Sequence, residues 1–155
     1  MQTSFYYTLV EYEKGDTLGF LFAIFSLLPI FLIISYVTLI LNKFNKTLVI
    51  GLFGQLMNEA FNTILKKYLQ VQRPFEKGRG YGMPSSHAQF MGFMMGYFFF
   101  YKRKKHKLYY FGLIISGILT AYSRVYLEYH SFDQVIVGLL LGITIGLTFG
   151  LVSMC

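Results

Sequence analysis

The chain has 155 residues, 55% of them hydrophobic and 19% aromatic, with a formal net charge of +7 and a mean hydropathy of +0.51. That profile excludes an ordinary soluble globular protein and reads as one integral membrane domain over 1–155. The positive charge is no nucleic-acid footprint, because the basic residues sit in short connections between apolar runs. The lone cysteine, Cys155, excludes an internal disulfide and a cysteine metal site.

Residues 18–41 carry no charge and suffice to cross a hydrocarbon layer of about 30 Å. The acidic flank before them (Glu11, Glu13, Asp16) predicts a retained helix and not a cleaved signal, with a kink at Pro29. A second span is predicted over 47–65. Its polar residues Gln55, Glu59 and Asn62, together with Lys66, fall on one helical face, which is expected to point into the bundle. Further helices are predicted over 84–101, 108–123 and 135–155. In the last, Gly138, Gly142, Gly146 and Gly150 form a small-residue stripe that lets another helix approach closely. Two uses of the stripe are open, packing within its own bundle or a contact between copies in a homo-oligomer.

Five spans place the N-terminus, the 66–84 loop and the 124–134 segment on one side. The 42–46 and 102–107 connections fall on the other. Each side carries seven basic residues: Lys43, Lys46, Lys102, Arg103, Lys104, Lys105 and Lys107 on one, Lys14, Lys66, Lys67, Arg73, Lys77, Arg79 and Arg124 on the other. Setting aside Lys66, Arg73 and Arg124, which have a chemical reason to be where they are, leaves four on the second side. The positive-inside rule then predicts the 102–107 run in the cytoplasm and the other face outside it.

Three polar clusters interrupt this lipid-like background: Lys66 with Arg73-Pro74, Pro84-Ser85-Ser86-His87, and Ser123-Arg124 with His130. Ionisable residues are costly near a bilayer, so their presence there points to function. Arginine grips phosphate oxygens bidentately and lysine as a point charge. Two imidazoles can divide nucleophilic attack from proton donation. Ser85 and Ser86 follow Pro84 at a predicted helix start, where free N–H groups attract anions; a plain N-cap is the blander reading. Arg124 has a rival use as well, an ion pair with Glu128 four residues on.

The three clusters, in this order and spacing, resemble the motifs of the type-2 phosphatidic acid phosphatase (PAP2) superfamily. The strings YGMPSSHAQF (81–90) and SRVYLEYH (123–130), with the stretch 10–31, are most similar to its dolichyl diphosphatase branch; the resemblance runs from about residue 10 to 142. It implies an all-α polytopic helix bundle that removes the terminal phosphate of dolichyl diphosphate and recycles the carrier for N-glycosylation. The implied setting is the endoplasmic reticulum membrane, with the site facing the lumen. The resemblance makes His130 the nucleophile that forms a phosphohistidine, and His87 a general acid. Lys66, Arg73, Ser85, Ser86 and Arg124 would bind the substrate phosphates. Many members have an Asp four residues after the nucleophile. Here Gln134 stands there and Asp133 one residue earlier, so the residue orienting His130 is open between them. No cofactor and no metal are expected, and the expected partners are a polyprenyl diphosphate and the bilayer. Two rival functions are another lipid phosphatase of the superfamily, acting on undecaprenyl diphosphate, phosphatidate or sphingoid phosphates, and an inert lipid-phosphate binder.

Overall fold

A computed structural model of the chain describes residues 2–5, 10–75, 77, 78, 80–100 and 107–154. Most of the basic run (Lys102, Arg103, Lys104, Lys105, His106), Arg79 and Cys155 lie outside the described residues. A hairpin of β1 (Gln2–Phe5) and β2 (Val10–Glu13) comes first. The helices α1 (Thr17–Ser26), α2 (Leu28–Asn42), α3 (Lys46–Leu69), α4 (Ser86–Phe98), α5 (Lys107–Tyr126) and α6 (Phe132–Val152) follow. The antiparallel hairpin, with Phe5 opposite Val10 and Gln2 opposite Glu13, is absent from the sequence expectations. β2 leads through a turn at Gly15 (φ 98°) to Asp16, whose carboxylate caps α1 by accepting from the Gly19 N–H at 2.9 Å.

The first apolar run is divided at Leu27 into α1 and α2. Pro29 sits in the first turn of α2, where its missing N–H costs nothing, and the interruption lies at Leu27, two residues before it. Four stretches, Thr17–Asn42, α3, α5 and α6, are long and apolar enough to cross a membrane. α4 has 13 residues, about 20 Å at 1.5 Å per residue. It is the most enclosed of the helices, with all residues from Ala88 to Tyr97 buried. The third predicted span, 84–101, is therefore a shorter, central core helix. Outward-facing Phe31, Ile34, Phe53, Leu56, Phe111, Ile118 and Leu140 are exposed, as a bilayer-facing surface requires.

The glycine stripe of α6 lies against α4. A Cβ on Gly138 would approach the Ser85 carbonyl oxygen to 2.6 Å, and one on Gly150 the Tyr97 carbonyl to 2.9 Å. At Gly142 and Gly146 it would collide with the carbonyls of Gln89 and Phe93. Gly92 and Gly96 on α4 stand equally close to the Leu139 and Ile143 carbonyls. The stripe is thus used inside the bundle, and the alternative of a contact between copies through it has no free surface.

Candidate active site

All three polar clusters converge at one end of the bundle. Lys66 lies in the last turn of α3, Ser85 caps α4 and Ser86 begins it, Arg124 lies in the last turn of α5, and His130 precedes α6. The predicted second span stops short of Lys66; the observed helix continues to Leu69 and is closed by Gln70 in the left-handed region (φ 53°).

His130 is 3% exposed. Its Nδ1 lies 3.0 Å from Gln134 Oε1, and Gln134 Nε2 donates to the Gln72 carbonyl at 2.7 Å. With the amide nitrogen committed there, Oε1 faces the ring and must accept, which puts the imidazole proton on Nδ1 and leaves a lone pair on Nε2. Arg73 Nη1 lies 3.3 Å from that Nε2 and also donates to the Tyr129 carbonyl at 3.1 Å. Burial pulls the His130 pKa down to about 3. The Gln134 bond opposes this, and the charges of Arg73, Arg124 and Lys66 reinforce it. At neutral pH the ring is uncharged.

Of the two candidates left open for orienting His130, Gln134 is the one in contact with its ring. Asp133 is exposed, in the first turn of α6, where a carboxylate favours the helix dipole. The reason lies in the N-terminus of α6. Ser131 is the N-cap in a capping box with Gln134, so the Gln134 side chain folds back over the chain entering the helix and reaches His130.

Arg124 is 5% exposed. It donates to Ser26 Oγ on α1 at 3.0 Å and its guanidinium carbon stands 4.1 Å above the Tyr129 ring. Its Nε has no partner among the described residues. The rival pairing with Glu128 does not form. Helix α5 has ended by then, Glu128 takes φ 64°, and its carboxylate pairs with Lys77 at 2.7 Å.

Lys66 Nζ donates to Ser86 Oγ at 2.6 Å, and Ser86 Oγ donates to Asn62 Oδ1 at 2.9 Å. Ser85 makes no side-chain cap bond. Its hydroxyl is fully buried and has no partner among the described residues, while its N–H donates to the Gln134 carbonyl at 3.0 Å. His87 lies beside the Ser26 main chain, and the charges of Arg124 and Lys66 bear on its ring.

The inward face of α3 differs from the expected one. Gln55, Asn58 and Asn62 are buried, whereas Glu59 is exposed. Asn58 takes the place the periodicity gave to Glu59. Gln89, Tyr129 and Ser26 lie outside the three polar clusters, although each contacts a site residue directly or through one neighbour.

Two cavities flank the cluster. A polar one of about 360 Å³ is lined by Gln72, Arg73, Gly78, Gly80 and Tyr81. The other, about 320 Å³, is an apolar groove between α2, α3 and α4, with Ile30, Ile33, Leu52, Leu56 and Phe90 along it and Ser86 and His87 on its wall. Among the described residues, no three His, Cys, Asp or Glu side chains gather as a metal-holding group. The convergent charge is cationic and suited to an anion.

A profile of the PAP2 superfamily matches residues 47–153. A dolichyldiphosphatase of Saccharomyces cerevisiae is 40% identical, the alignment covering 87% of this chain and 64% of that protein. Dolichyldiphosphatase 1 of Homo sapiens is 38% identical, with 87% and 65% covered. The chain thus spans a little under two thirds of the length of these relatives. The crystal structure of a transmembrane PAP2-type phosphatidylglycerolphosphate phosphatase from Bacillus subtilis superposes with a TM-score of 0.74 at 18% identity, covering 88% of this chain and 76% of that one. The shared fold is a helical membrane bundle.

Proposed function

Because this chain belongs to the PAP2 superfamily, we propose that it hydrolyses the terminal phosphate of dolichyl diphosphate through a phosphohistidine on His130, releasing dolichyl monophosphate and then inorganic phosphate. The similarity to dolichyldiphosphatases supports the choice of substrate. The observation that carries the reading is the meeting of a cationic cluster with an apolar groove at Ser86 and His87. A lipid diphosphate needs both at once.

In this reading the isoprenoid lies in the groove and the terminal phosphate sits among Lys66, Arg73 and Arg124. In the free site Arg73 covers the Nε2 lone pair of His130. A bound phosphate draws the guanidinium onto its own oxygens and frees the nitrogen. Nε2 attacks phosphorus in line, the bond to the bridging oxygen breaks, and that oxygen leaves with the electron pair as the lipid monophosphate. His87, on the groove wall, supplies its proton. Water then attacks the phosphohistidine and gives up a proton to His87, the P–N bond breaks, and the electron pair returns to Nε2. Gln134 holds the tautomer throughout. Phosphoryl transfer is mainly positioning and charge stabilisation, which a fixed cationic cluster away from bulk water provides. Gln134 is neutral, so His130 begins as an unassisted imidazole, and lipid monophosphate is a good enough leaving group for that to suffice.

The setting we infer is the endoplasmic reticulum membrane, with the site facing the lumen and the product returned to N-glycosylation. The deciding assay is phosphate release from dolichyl diphosphate by the detergent-purified protein in EDTA, wild type against His130→Ala. Release that survives chelation and vanishes in the variant is expected. Faster release from phosphatidate or a sphingoid phosphate would replace the substrate, and silence on all of them would leave an inert binder.

A further inference from the structure

The hydrogen bonds behind Lys66 form a chain whose direction is dictated by its charged end. An ammonium group can only donate, so Ser86 Oγ must accept from Lys66, at 2.6 Å. The serine hydrogen is therefore turned toward Asn62 Oδ1, 2.9 Å away. That fixes the Asn62 amide, whose Nδ2 donates to Gln89 Oε1 at 2.7 Å and reaches the Pro84 carbonyl at 3.3 Å. Gln89 is fixed in turn, and its Nε2 donates to Asn58 Oδ1 at 2.8 Å and to the Asn58 carbonyl at 3.1 Å. Asn58 closes the chain by donating to the Gln89 carbonyl at 3.4 Å.

Asn58 and Asn62 are 1% exposed and Gln89 is 0% exposed, so bulk water cannot replace a missing member. None of the three belongs to the polar clusters that mark the site in the sequence. We propose that Asn62 and Gln89 are positioning residues that act through Ser86 to hold the Lys66 ammonium at the phosphate site. A lysine head group on a flexible four-carbon stem loses considerable rotamer freedom when fixed. Here that ordering is built into the α3–α4 seam, and two of the three ammonium N–H bonds remain for phosphate oxygens. Ser86 thereby differs from its expected role. Its hydrogen is engaged inward, so it serves the phosphate through Lys66 and not as a direct donor.

The inference rests on the phosphate-binding reading of Lys66, and its test is separable from the substrate. The affinity of the full-length purified protein for inorganic phosphate is measured by calorimetry for Ser86→Ala and Gln89→Met, each alone and combined with Lys66→Met. In the native background each variant is expected to weaken phosphate binding about tenfold, the loss of one charge-assisted contact. With Lys66→Met present, the added loss is expected to fall below about twofold, because the route through Lys66 is already gone. Equal losses in both backgrounds would make the chain merely structural and overturn the proposal, as would unchanged binding in the native background. Ser86→Ala sits at the outer end of the chain and keeps the test available if Gln89→Met does not fold. Wild-type protein that binds phosphate with this pattern yet leaves dolichyl diphosphate intact would sink the proposed reaction and leave the positioning role standing.

Discussion

The seam between α4 and α6 is a close contact of backbone, whereas the seam between α4 and α3 is made of side-chain amides. On the α6 side, glycines on both helices bring carbonyls to within the space a single methyl would need. On the α3 side, Asn58, Asn62 and Gln89 bond across the gap. Lipid offers no hydrophobic drive for helix association inside a bilayer, so close packing and interhelical hydrogen bonds must supply it, and each seam uses one of the two. The difference follows from where each leads. The α4–α6 seam fixes the helix N-termini that frame Ser85 and His130. The α3–α4 seam ends at Lys66, the group it is proposed to position.

The contrast breaks hardest at the glycines. Gly142→Val is expected to abolish the folded bundle, because overpacking against the Gln89 carbonyl cannot relax through a side-chain shift. Gly112→Val, where an added Cβ meets nothing within 4 Å, is expected to remain monodisperse in detergent with an unchanged Tm. Size-exclusion chromatography and thermal scanning of the pair decide this, and matching behaviour would refute the backbone seam.

A smaller effect is expected at Gln134, which joins α6 to the site. Gln134→Glu keeps an acceptor for His130 Nδ1 but removes the donor to the Gln72 carbonyl. A carboxylate beside the ring stabilises imidazolium and raises the His130 pKa, by roughly 1–3 units for such a neighbour. The acid limb of the kcat/KM profile is expected to move upward in pH, with the fold retained. A limb that stays put would deny Gln134 its hold on the ring.

Lys66, Arg73, Arg124 and His130 are legible in the sequence because charges in an apolar chain need a reason. The spacing of Gly138, Gly142, Gly146 and Gly150 likewise points to a close helix contact. The inward face of α3 is less legible, since Gln55 and Asn62 fit a helical stripe through either Asn58 or Glu59, and only the partner Gln89 across the gap selects Asn58. Gln89 itself follows the Ser85-Ser86-His87 cluster into an apolar run, and nothing in its spacing points to α3. Gln134 and Asp133 are equivalent candidates by spacing, and it is the capping box of α6 that turns the Gln134 amide toward His130. The hairpin escapes a reading of the sequence because β1 and β2 are four residues each, too short for an alternating pattern to speak clearly.

The smallest expected effect is on stability. The folded His130 pKa, about 3, lies below the usual 6.5, so the unfolded chain binds more protons between those values. The neutral ring's contribution is therefore complete above pH 6.5 and is lost as pH falls toward the folded value, by at most about 1.4 kcal/mol per pH unit. Thermal scans between about pH 7.5 and about pH 5, which bracket the ordinary histidine pKa, are expected to show this slope in wild type and a shallower one in His130→Gln. Equal slopes would place the acid sensitivity elsewhere.

In the proposed reaction His130 Nε2 takes up the terminal phosphate. The most direct measurement is a rapid acid-free quench of the purified protein mixed with dolichyl diphosphate labelled at that phosphate, followed by mapping of the label. An alkali-stable, acid-labile phosphoryl group is expected on His130, absent in His130→Ala. Turnover by wild type with no label on any histidine would contradict it.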